Sequence, residues 1–169
     1  MFRLSKSTDY GIRILAHLAR DGRATTHNAR EVAQDLKLPV PMVSKVMKAL
    51  ARSGVLESHR GSKGGFNLAR RPDSLTVAEM IDALEGPVAL TQCQIGPALC
   101  VHEGSCNVQE PWGVINTAVK NTLATITLSD LIHPGFPKTT SVLSFKDPTL
   151  TDLIPPAETP PETRPQGSD

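Results

Sequence analysis

Residues 28–69 read NAREVAQDLKLPVPMVSKVMKALARSGVLESHRGSKGGFNLA, and they carry the clearest structural pattern of the chain. Its apolar residues recur at helical spacing twice, over 28–36 and over 42–53, with a Leu-Pro-Val-Pro turn between the two segments. Two short runs typical of strands follow at 55–60 and 66–69, joined by a glycine-rich link. The stretch therefore predicts two short helices, a tight turn and a β-hairpin, the order of a winged helix-turn-helix.

The segments on either side of this stretch are predicted to be helical. Residues 8–20 carry apolar side chains at helical spacing and end at an Asp-Gly pair. Thr76 followed by Glu79 forms a capping box that opens a further helix, which ends at Gly86. A last helix begins near Pro111, and one face of it carries Ile115, Ala118, Val119, Thr122 and Ile126. The expected fold class is mainly α.

Four segments follow from this pattern. The winged helix-turn-helix domain spans 1–87, and an aperiodic loop at 88–110 contains every cysteine. A long helix spans 111–133. Residues 134–169 hold eight of the 14 prolines and few apolar residues, so we expect a disordered tail there.

The net charge of +1 hides a strong asymmetry along the chain. Residues 1–73 contain 14 lysines and arginines against 6 acidic residues, whereas residues 74–133 contain 1 against 6. A basic front half is an electrostatic reason to expect a nucleic-acid partner. No apolar run is long enough to span a bilayer, and Arg3, Lys6 and Asp9 interrupt the place of a signal peptide. We therefore expect a cytoplasmic protein with no membrane partner.

The second helix of the predicted pair is the candidate for entering the major groove of DNA. With its apolar stripe packed inward, its exposed face carries polar and basic residues that can contact base edges or phosphates. The hairpin adds cations beside glycines, which let a backbone approach the duplex closely. The candidate DNA-binding residues are Pro41, Ser44, Lys45, Lys48, Arg60 and Lys63. The alternative is a basic helical bundle whose lysines are merely solvated.

Cys93, Cys100 and Cys106 form a Cys-x6-Cys-x5-Cys pattern in the aperiodic loop. Thiolates suit iron–sulfur clusters, zinc or cuprous copper, and these gaps are wider than the knuckles of structural zinc sites. A cluster usually has four protein ligands, so the fourth must be another residue or stay open. Candidates for it are His102, Glu103, Glu110 and the distant Asp9. The alternatives are three reduced cysteines without a cofactor, or a thiol redox switch.

These parts together resemble the Rrf family of bacterial transcription regulators over roughly residues 1–133. The resemblance rests on five motifs in the family's order, at 4–11 (LSKSTDYG), 30–33 (REVA), 60–69 (RGSKGGFNLA), 84–86 (LEG) and 127–131 (TLSDL). The third of these is very similar to the family's wing. The cysteine loop follows the fourth motif, as it does in the family.

The resemblance implies a homodimer whose long helices pair across the two-fold axis, so 111–133 is the expected dimerisation helix. Two winged domains would then read double-stranded DNA at a pseudo-palindromic operator, with half-sites roughly 34 Å apart. It also implies an iron–sulfur cluster on Cys93, Cys100 and Cys106 whose state controls DNA affinity. The sequence has no glycine-rich phosphate loop and no hydrolase-type nucleophile motif, so we expect neither an enzyme nor a small-molecule substrate.

The identity of the fourth ligand separates branches of the family. IscR-like members carry a histidine three residues after the last cysteine, where this chain has Gln109. NsrR-like members use an aspartate early in the first helix of the partner subunit, and Asp9 matches that position. The resemblance therefore makes Asp9 the candidate fourth ligand and favours a 4Fe–4S over a 2Fe–2S cluster. The alternative role of Asp9 is a helix N-terminal charge. His17 is predicted to be an ordinary surface or core histidine.

The Cys-x6-Cys spacing, Leu90, Trp112 and the pair at 115–116 are most similar to the branch that controls the SUF iron–sulfur assembly genes. The expected function is a repressor that senses cluster supply. Alternatives in the same class are a nitric oxide sensor like NsrR and an iron sensor like RirA. Alternatives from other classes are a cysteine-based redox protein without a role on DNA and a zinc-stabilised DNA-binding scaffold. Redox enzymes generally show a Cys-x-x-Cys pair, which the sequence lacks.

Overall fold

A computed structural model describes residues 4–21, 25–61, 64–133 and 135. Within these residues there are six α-helices and one pair of strands: α1 Lys6–Arg20, α2 Ala29–Leu36, α3 Val40–Arg52, β1 Leu56–His59, β2 Gly65–Leu68, α4 Val77–Glu85, α5 Gln109–Thr125 and α6 Leu128–Ile132. The fold class is mainly α with one small sheet, as predicted. None of the described helices combines the length and the apolar character needed to cross a membrane.

Local signals in the sequence set where the helices begin. The Asn28 side chain accepts from the backbone N–H of Glu31, and the Glu31 carboxylate accepts from that of Asn28, so the capping box of α2 is complete. Thr76 and Glu79 form the predicted box at α4. Pro41 lies in the first turn of α3, where a missing N–H costs no helical hydrogen bond.

The core of the winged domain lies between α1, α2, α3 and α4. The apolar stripe predicted for α3 is completely buried, and its members are Val43, Val46, Met47 and Leu50. Each such side chain contributes about 1.5–3 kcal/mol through removal from water. Helices α1 and α4 approach each other closely at Gly11, where an added Cβ would collide with Leu84.

The base of the β-hairpin packs in the core, and the segment around His27 pairs with it as a third stretch of backbone. Strands β1 and β2 are antiparallel, with the buried Leu56 opposite the buried Leu68. On the other side of β2, His27 and Phe66 exchange two backbone hydrogen bonds, both 2.9 Å long. Gly65 makes this approach possible, because a Cβ there would lie 2.5 Å from the carbonyl oxygen of His27. The segment that precedes α2 therefore supports the hairpin, which the sequence did not indicate.

The long helix predicted at 111–133 is interrupted after Thr125. Thr127 starts α6 instead, because its side chain and that of Asp130 form a third capping box. The tail predicted at 134–169 lies outside the described residues, apart from Gly135.

After the interruption, the chain forms hydrogen bonds with the winged domain again. The backbone N–H of Val77 donates to the Ile126 carbonyl, and that of Leu128 donates to the Leu75 carbonyl, both at 2.8 Å. Leu128 is fully buried in the common core. Residues 126–132 therefore pack as part of the domain predicted for 1–87.

The face predicted on α5 meets the core through its later residues. Val119, Leu123 and Ile126 pack against the core, and the buried residue of the helix is Asn116. Ile115, at the start of the same predicted face, is 46% exposed in the single chain. The polar Asn116 side chain docks α5 against the preceding loop.

Candidate DNA-binding face and cysteine loop

The outer side of α3 is polar and basic. Pro41, Lys45 and Lys48 are exposed and Ser44 is half-buried, opposite the stripe that packs into the core. Neither lysine forms a salt bridge with another residue in the described part of the chain. Unpaired ammonium groups on one helix face can neutralise phosphates, and a serine hydroxyl can bond a base edge or a phosphate.

A groove of about 410 Å³ lies between the C-terminal half of α3 and the β-hairpin. Its lining consists of Lys48, Ala51 and Arg52 from the helix together with Ser58 and Phe66 from the hairpin. Sequence reasoning missed Arg52, although its spacing of four residues from Lys48 places both cations on one helix face. Arg52 extends the basic face of α3 toward the hairpin.

Two glycines near the described ends of the hairpin tip are required by its backbone. Arg60 is exposed at the end of β1, and Gly61 has φ 115°, a conformation that favours glycine. A Cβ on Gly64 would lie 2.5 Å from the His59 carbonyl oxygen, so the turn needs glycine there. Lys63, the other predicted contact of the hairpin, lies outside the described residues and stays a prediction.

The turn between α2 and α3 fixes the orientation of α3. Lys37 adopts a left-handed conformation with φ 53°, and the backbone N–H of Leu38 donates to the Ala33 carbonyl at 2.9 Å. From α1, the Arg13 guanidinium donates to the Leu36 carbonyl at 3.3 Å. These bonds satisfy the last carbonyls of α2 and hold the helix pair as one unit.

The three cysteines are half-buried on the loop that follows α4, and each is free of a disulfide. Cys93 Sγ lies 3.2 Å from Thr91 Oγ1, and the Gln94 side-chain amide donates to the same sulfur at 3.9 Å. The three sulfur atoms do not all lie within 4.8 Å of one another. A single ion gathers its ligands more tightly than this, whereas the thiolates of a cluster bind different iron atoms. The described loop is thus not a preformed single-ion site.

Asn116 docks the first part of the loop on α5. Its side chain is 5% exposed, accepts from the backbone N–H of Leu90 at 2.9 Å and donates to the Val88 carbonyl at 3.4 Å. The Gln94 side chain rests beside Gly113 one turn earlier on α5. A shift of α5 therefore moves the segment that carries Cys93.

Apolar side chains are exposed on the cysteine loop and along the start of α5. Val101 is 97% exposed, and the others are between 38% and 55% exposed: Ile95, Leu99, Val108, Trp112 and Ile115. Apolar side chains grouped on one surface mark a site of contact with another molecule.

Asp9 is exposed in the first turn of α1, whose start is tied to the end of α4. The backbone N–H of Ser5 donates to Glu85 Oε1 at 2.8 Å, and the Thr8 hydroxyl donates to the same oxygen. The Thr8 hydroxyl, followed by the Ser5 backbone, lowers the pKa of Glu85 below its ordinary value of 4.5. Among the described residues, the single chain does not bring Asp9 together with the cysteines.

The fold is a mainly helical winged domain, and α3, the second helix of its helix-turn-helix, has a basic face without acidic partners among the described residues. These features define the class of DNA-binding transcription regulators. The model of the Rrf2 family, described as an iron-dependent transcriptional regulator, matches residues 4–134. The chain therefore belongs to the Rrf2 family, and the resemblance found in its sequence is confirmed.

Individual relatives agree with the family assignment. An HTH-type transcriptional regulator of Aquifex aeolicus is 30% identical over 131 residues, which cover 76% of this chain and 90% of the relative. The regulator NsrR of Bacillus subtilis is 28% identical, over 77% of this chain and 90% of NsrR. The solved structure of CymR, the global cysteine regulator of B. subtilis, superposes with a TM-score of 0.61 at 28% identity and covers 78% of this chain and 97% of CymR. All three are named as regulators and none as an enzyme, as predicted.

Proposed function

We propose that this chain is a cytoplasmic transcriptional repressor that binds DNA as a homodimer and adjusts its DNA affinity through an iron–sulfur cluster. The observation that carries the proposal is the combination, in one Rrf2-family chain, of an unpaired basic face on α3 and three free thiols on a loop docked to α5. The proposed DNA contacts are Pro41, Ser44, Lys45, Lys48, Arg60 and Lys63, with Arg52 as an addition.

The proposed dimer pairs α5 with its symmetry mate. Such pairing removes Trp112 and Ile115 from water, which are 38% and 46% exposed in the single chain. The two α3 helices then enter major grooves roughly 34 Å apart, which requires a pseudo-palindromic operator. The cations on the α3 face and on the hairpin position the dimer on phosphates, while Ser44 is placed to contact a base edge.

The donor set fits an iron–sulfur cluster. Cys93, Cys100 and Cys106 supply three soft thiolates from one loop, and they are not gathered as tightly as the ligands of a single ion. Asp9 of the partner subunit is the proposed fourth ligand, which favours a 4Fe–4S over a 2Fe–2S cluster. When bound, such a cluster supplies a centre that iron shortage or oxidants can remove. A carboxylate is a harder and more labile ligand for iron than a thiolate, which suits a site that must be lost easily.

The coupling between loop and DNA passes through α5. Asn116 holds the loop on α5, and the end of α5 bonds to the winged domain through the Ile126 carbonyl and the Val77 N–H. When the cluster is lost, the loop relaxes and the position of α5 on the winged domain changes. The distance between the two α3 helices of the dimer changes with it. Control of transcription requires that the two states of the loop differ in operator affinity.

The proposed targets are the SUF iron–sulfur assembly genes. When clusters are plentiful, the cluster-loaded dimer would repress these genes. A second candidate is a nitric oxide sensor, favoured by the exposed carboxylate of Asp9 in the first turn of α1. An iron sensor like RirA uses the same parts. A redox protein without a role on DNA does not account for the unpaired cations of α3, so we favour it least among these candidates.

Selection of genomic fragments by the purified, anaerobically prepared dimer tests this proposal. We expect enrichment of promoters of iron–sulfur assembly genes by the cluster-loaded form, and weaker enrichment by the Cys100→Ala variant. Promoters of nitric oxide detoxification genes would favour the second candidate instead. No enrichment by either form would contradict a role on DNA.

A further inference from the structure

We propose that the winged domain holds a second metal site, for one divalent transition-metal ion of the Zn²⁺ or Fe²⁺ kind, formed by His17, Asp21 and His27. One potential ligand atom of each of these residues lies within 4.8 Å of those of the other two. They are the only such group of three His, Cys, Asp or Glu residues within the part of the chain that the structure describes. The site is separate from the cysteine loop and stands apart from the function proposed above.

The end of α1 and the segment before α2 meet to build the site. His17 lies in the last turn of α1, Asp21 caps the C-terminus of that helix, and His27 lies on the segment that pairs with β2. His27 Nε2 is 3.7 Å from Asp21 Oδ2, and the two imidazole rings meet edge to face with centroids 5.9 Å apart. Ligands of one tetrahedral zinc at about 2.0–2.1 Å lie roughly 3.4 Å from one another. Small side-chain rotations are therefore enough to close the group around an ion.

Both imidazoles present a buried Nε2 atom that forms no hydrogen bond of good geometry among the described residues. A carboxylate oxygen lies near each of them, Asp35 Oδ2 at 3.2 Å from His17 Nε2 and Asp21 Oδ2 at 3.7 Å from His27 Nε2, so His27 is the less compensated of the two. The His27 side chain is only 10% exposed, so water does not compensate for the missing bond. A buried polar atom without a partner is unfavourable by about 1–3 kcal/mol, and a metal ion would supply the missing partner.

The ligand types define the class of ion. Two imidazoles with one carboxylate suit zinc or ferrous iron, whereas Mg²⁺ and Ca²⁺ prefer all-oxygen sites. Asp35 of α2 approaches His17 Nε2 with its Oδ2 at 3.2 Å and offers a further oxygen nearby. Asp21 is half exposed, which leaves a path for the ion from solvent.

An ion at this site would fix the support of the hairpin. His27 binds β2 through two backbone hydrogen bonds to Phe66, and Asp21 belongs to the end of α1. The ion would therefore link the end of α1 to the segment that pairs with β2, at the base of the hairpin. We expect bound metal to raise the thermal stability of the winged domain.

Titration of the tag-free, cluster-free full chain with Co²⁺, followed by competition with Zn²⁺, tests the site. Co²⁺ bound by thiolates gives intense charge-transfer absorption, whereas Co²⁺ bound by nitrogen and oxygen gives only weak visible bands. We expect one equivalent of Co²⁺ bound by nitrogen and oxygen, which Zn²⁺ displaces. The Tm should rise when Zn²⁺ is added. The Asp21→Asn and His27→Gln variants should each weaken this binding by at least about tenfold while keeping the thiolate signal.

His59→Gln serves as the matched control, because His59 is an exposed histidine on β1 of the same domain. It should bind as the wild type does. Asp21→Asn keeps the shape of an exposed side chain, so the test survives if His27→Gln destabilises the buried segment. The absence of any nitrogen and oxygen signal, or equal binding by wild type and Asp21→Asn, would overturn the proposal.

Discussion

Lys45 lies at the centre of the exposed side of α3, where it has no acidic partner among the described residues. We expect Lys45→Ala to weaken operator binding and to reduce the slope of log K against log salt by about 0.9, because one phosphate contact and its released counterion are lost. Lys120→Ala, which removes a lysine from α5, is the control and should leave both quantities unchanged. Fluorescence anisotropy at several salt concentrations measures them. An unchanged slope for Lys45→Ala would show that α3 is not at the DNA.

Glu85 links α4 to the start of α1 and gives the fold a dependence on pH. Hydrogen bonds from Thr8 and Ser5 lower its pKa in the folded chain below the ordinary value of 4.5. The lowered pKa stabilises the fold above pH 4.5, and this contribution is lost as the pH falls through the folded-state pKa. Glu85→Gln should lower the free energy of unfolding at pH 7 by up to about 1 kcal/mol, since the carboxylate is exposed to solvent.

Urea unfolding of both chains at several pH values checks this, with Asp82→Asn on the same helix as the control. The difference between Glu85→Gln and wild type should shrink as the pH drops below 4.5. A difference that is constant with pH would mean that the Glu85 charge plays no part.

At the residue scale, the sequence indicated the exposed members of α3 but not the pairing of distant side chains. The helical period alone places Lys45 and Lys48 opposite the buried stripe. The approach of His17 to His27 depends instead on how the end of α1 meets the segment before α2, which no local pattern encodes. The interpretation of His17 as an ordinary histidine rested on its own helix only.

At the element scale, Asn116 decides how the cysteine loop rests on α5. Asn116→Leu removes the partners of the Leu90 N–H and the Val88 carbonyl, so we expect a loss of about 1–3 kcal/mol in the free energy of unfolding. Faster amide exchange at Leu90 should accompany it. Asn116→Asp keeps the acceptor for Leu90 but should also destabilise, because it places a buried carboxylate against the Val88 carbonyl oxygen. Equal exchange rates at Leu90 in wild type and Asn116→Leu would contradict the docking role.

The elements themselves could be predicted wherever the signal was local. The capping boxes at Asn28 and Thr76 and the glycine-rich hairpin are written into neighbouring residues, and all are present. The end of α5 at Thr125 could not be predicted in the same way. Although Thr127 and Asp130 have the spacing of a capping box, the interruption is completed by hydrogen bonds to residues 75 and 77, far away in sequence.

At the scale of the whole molecule, the exposed start of α5 predicts an assembly. We expect Ile115→Glu to convert a dimer into monomers, because a carboxylate cannot be buried in an apolar helix pair without a partner. Operator affinity should fall with it, since each monomer contacts a single half-site. Asn121→Glu, on an exposed position of the same helix, is the control. Sedimentation of both variants gives the answer, and a dimeric Ile115→Glu would exclude α5 as the dimer contact.

Control of DNA binding by an iron–sulfur cluster on the cysteine loop can be tested on anaerobically purified protein. The measurement is the number of iron and acid-labile sulfide atoms per chain, together with the operator affinity of the same sample. We expect about four iron atoms per chain, their loss in Cys100→Ala, and different operator affinities for the loaded and the empty dimer. A colourless protein that cannot be reconstituted and holds zinc or no metal on its cysteines would contradict it.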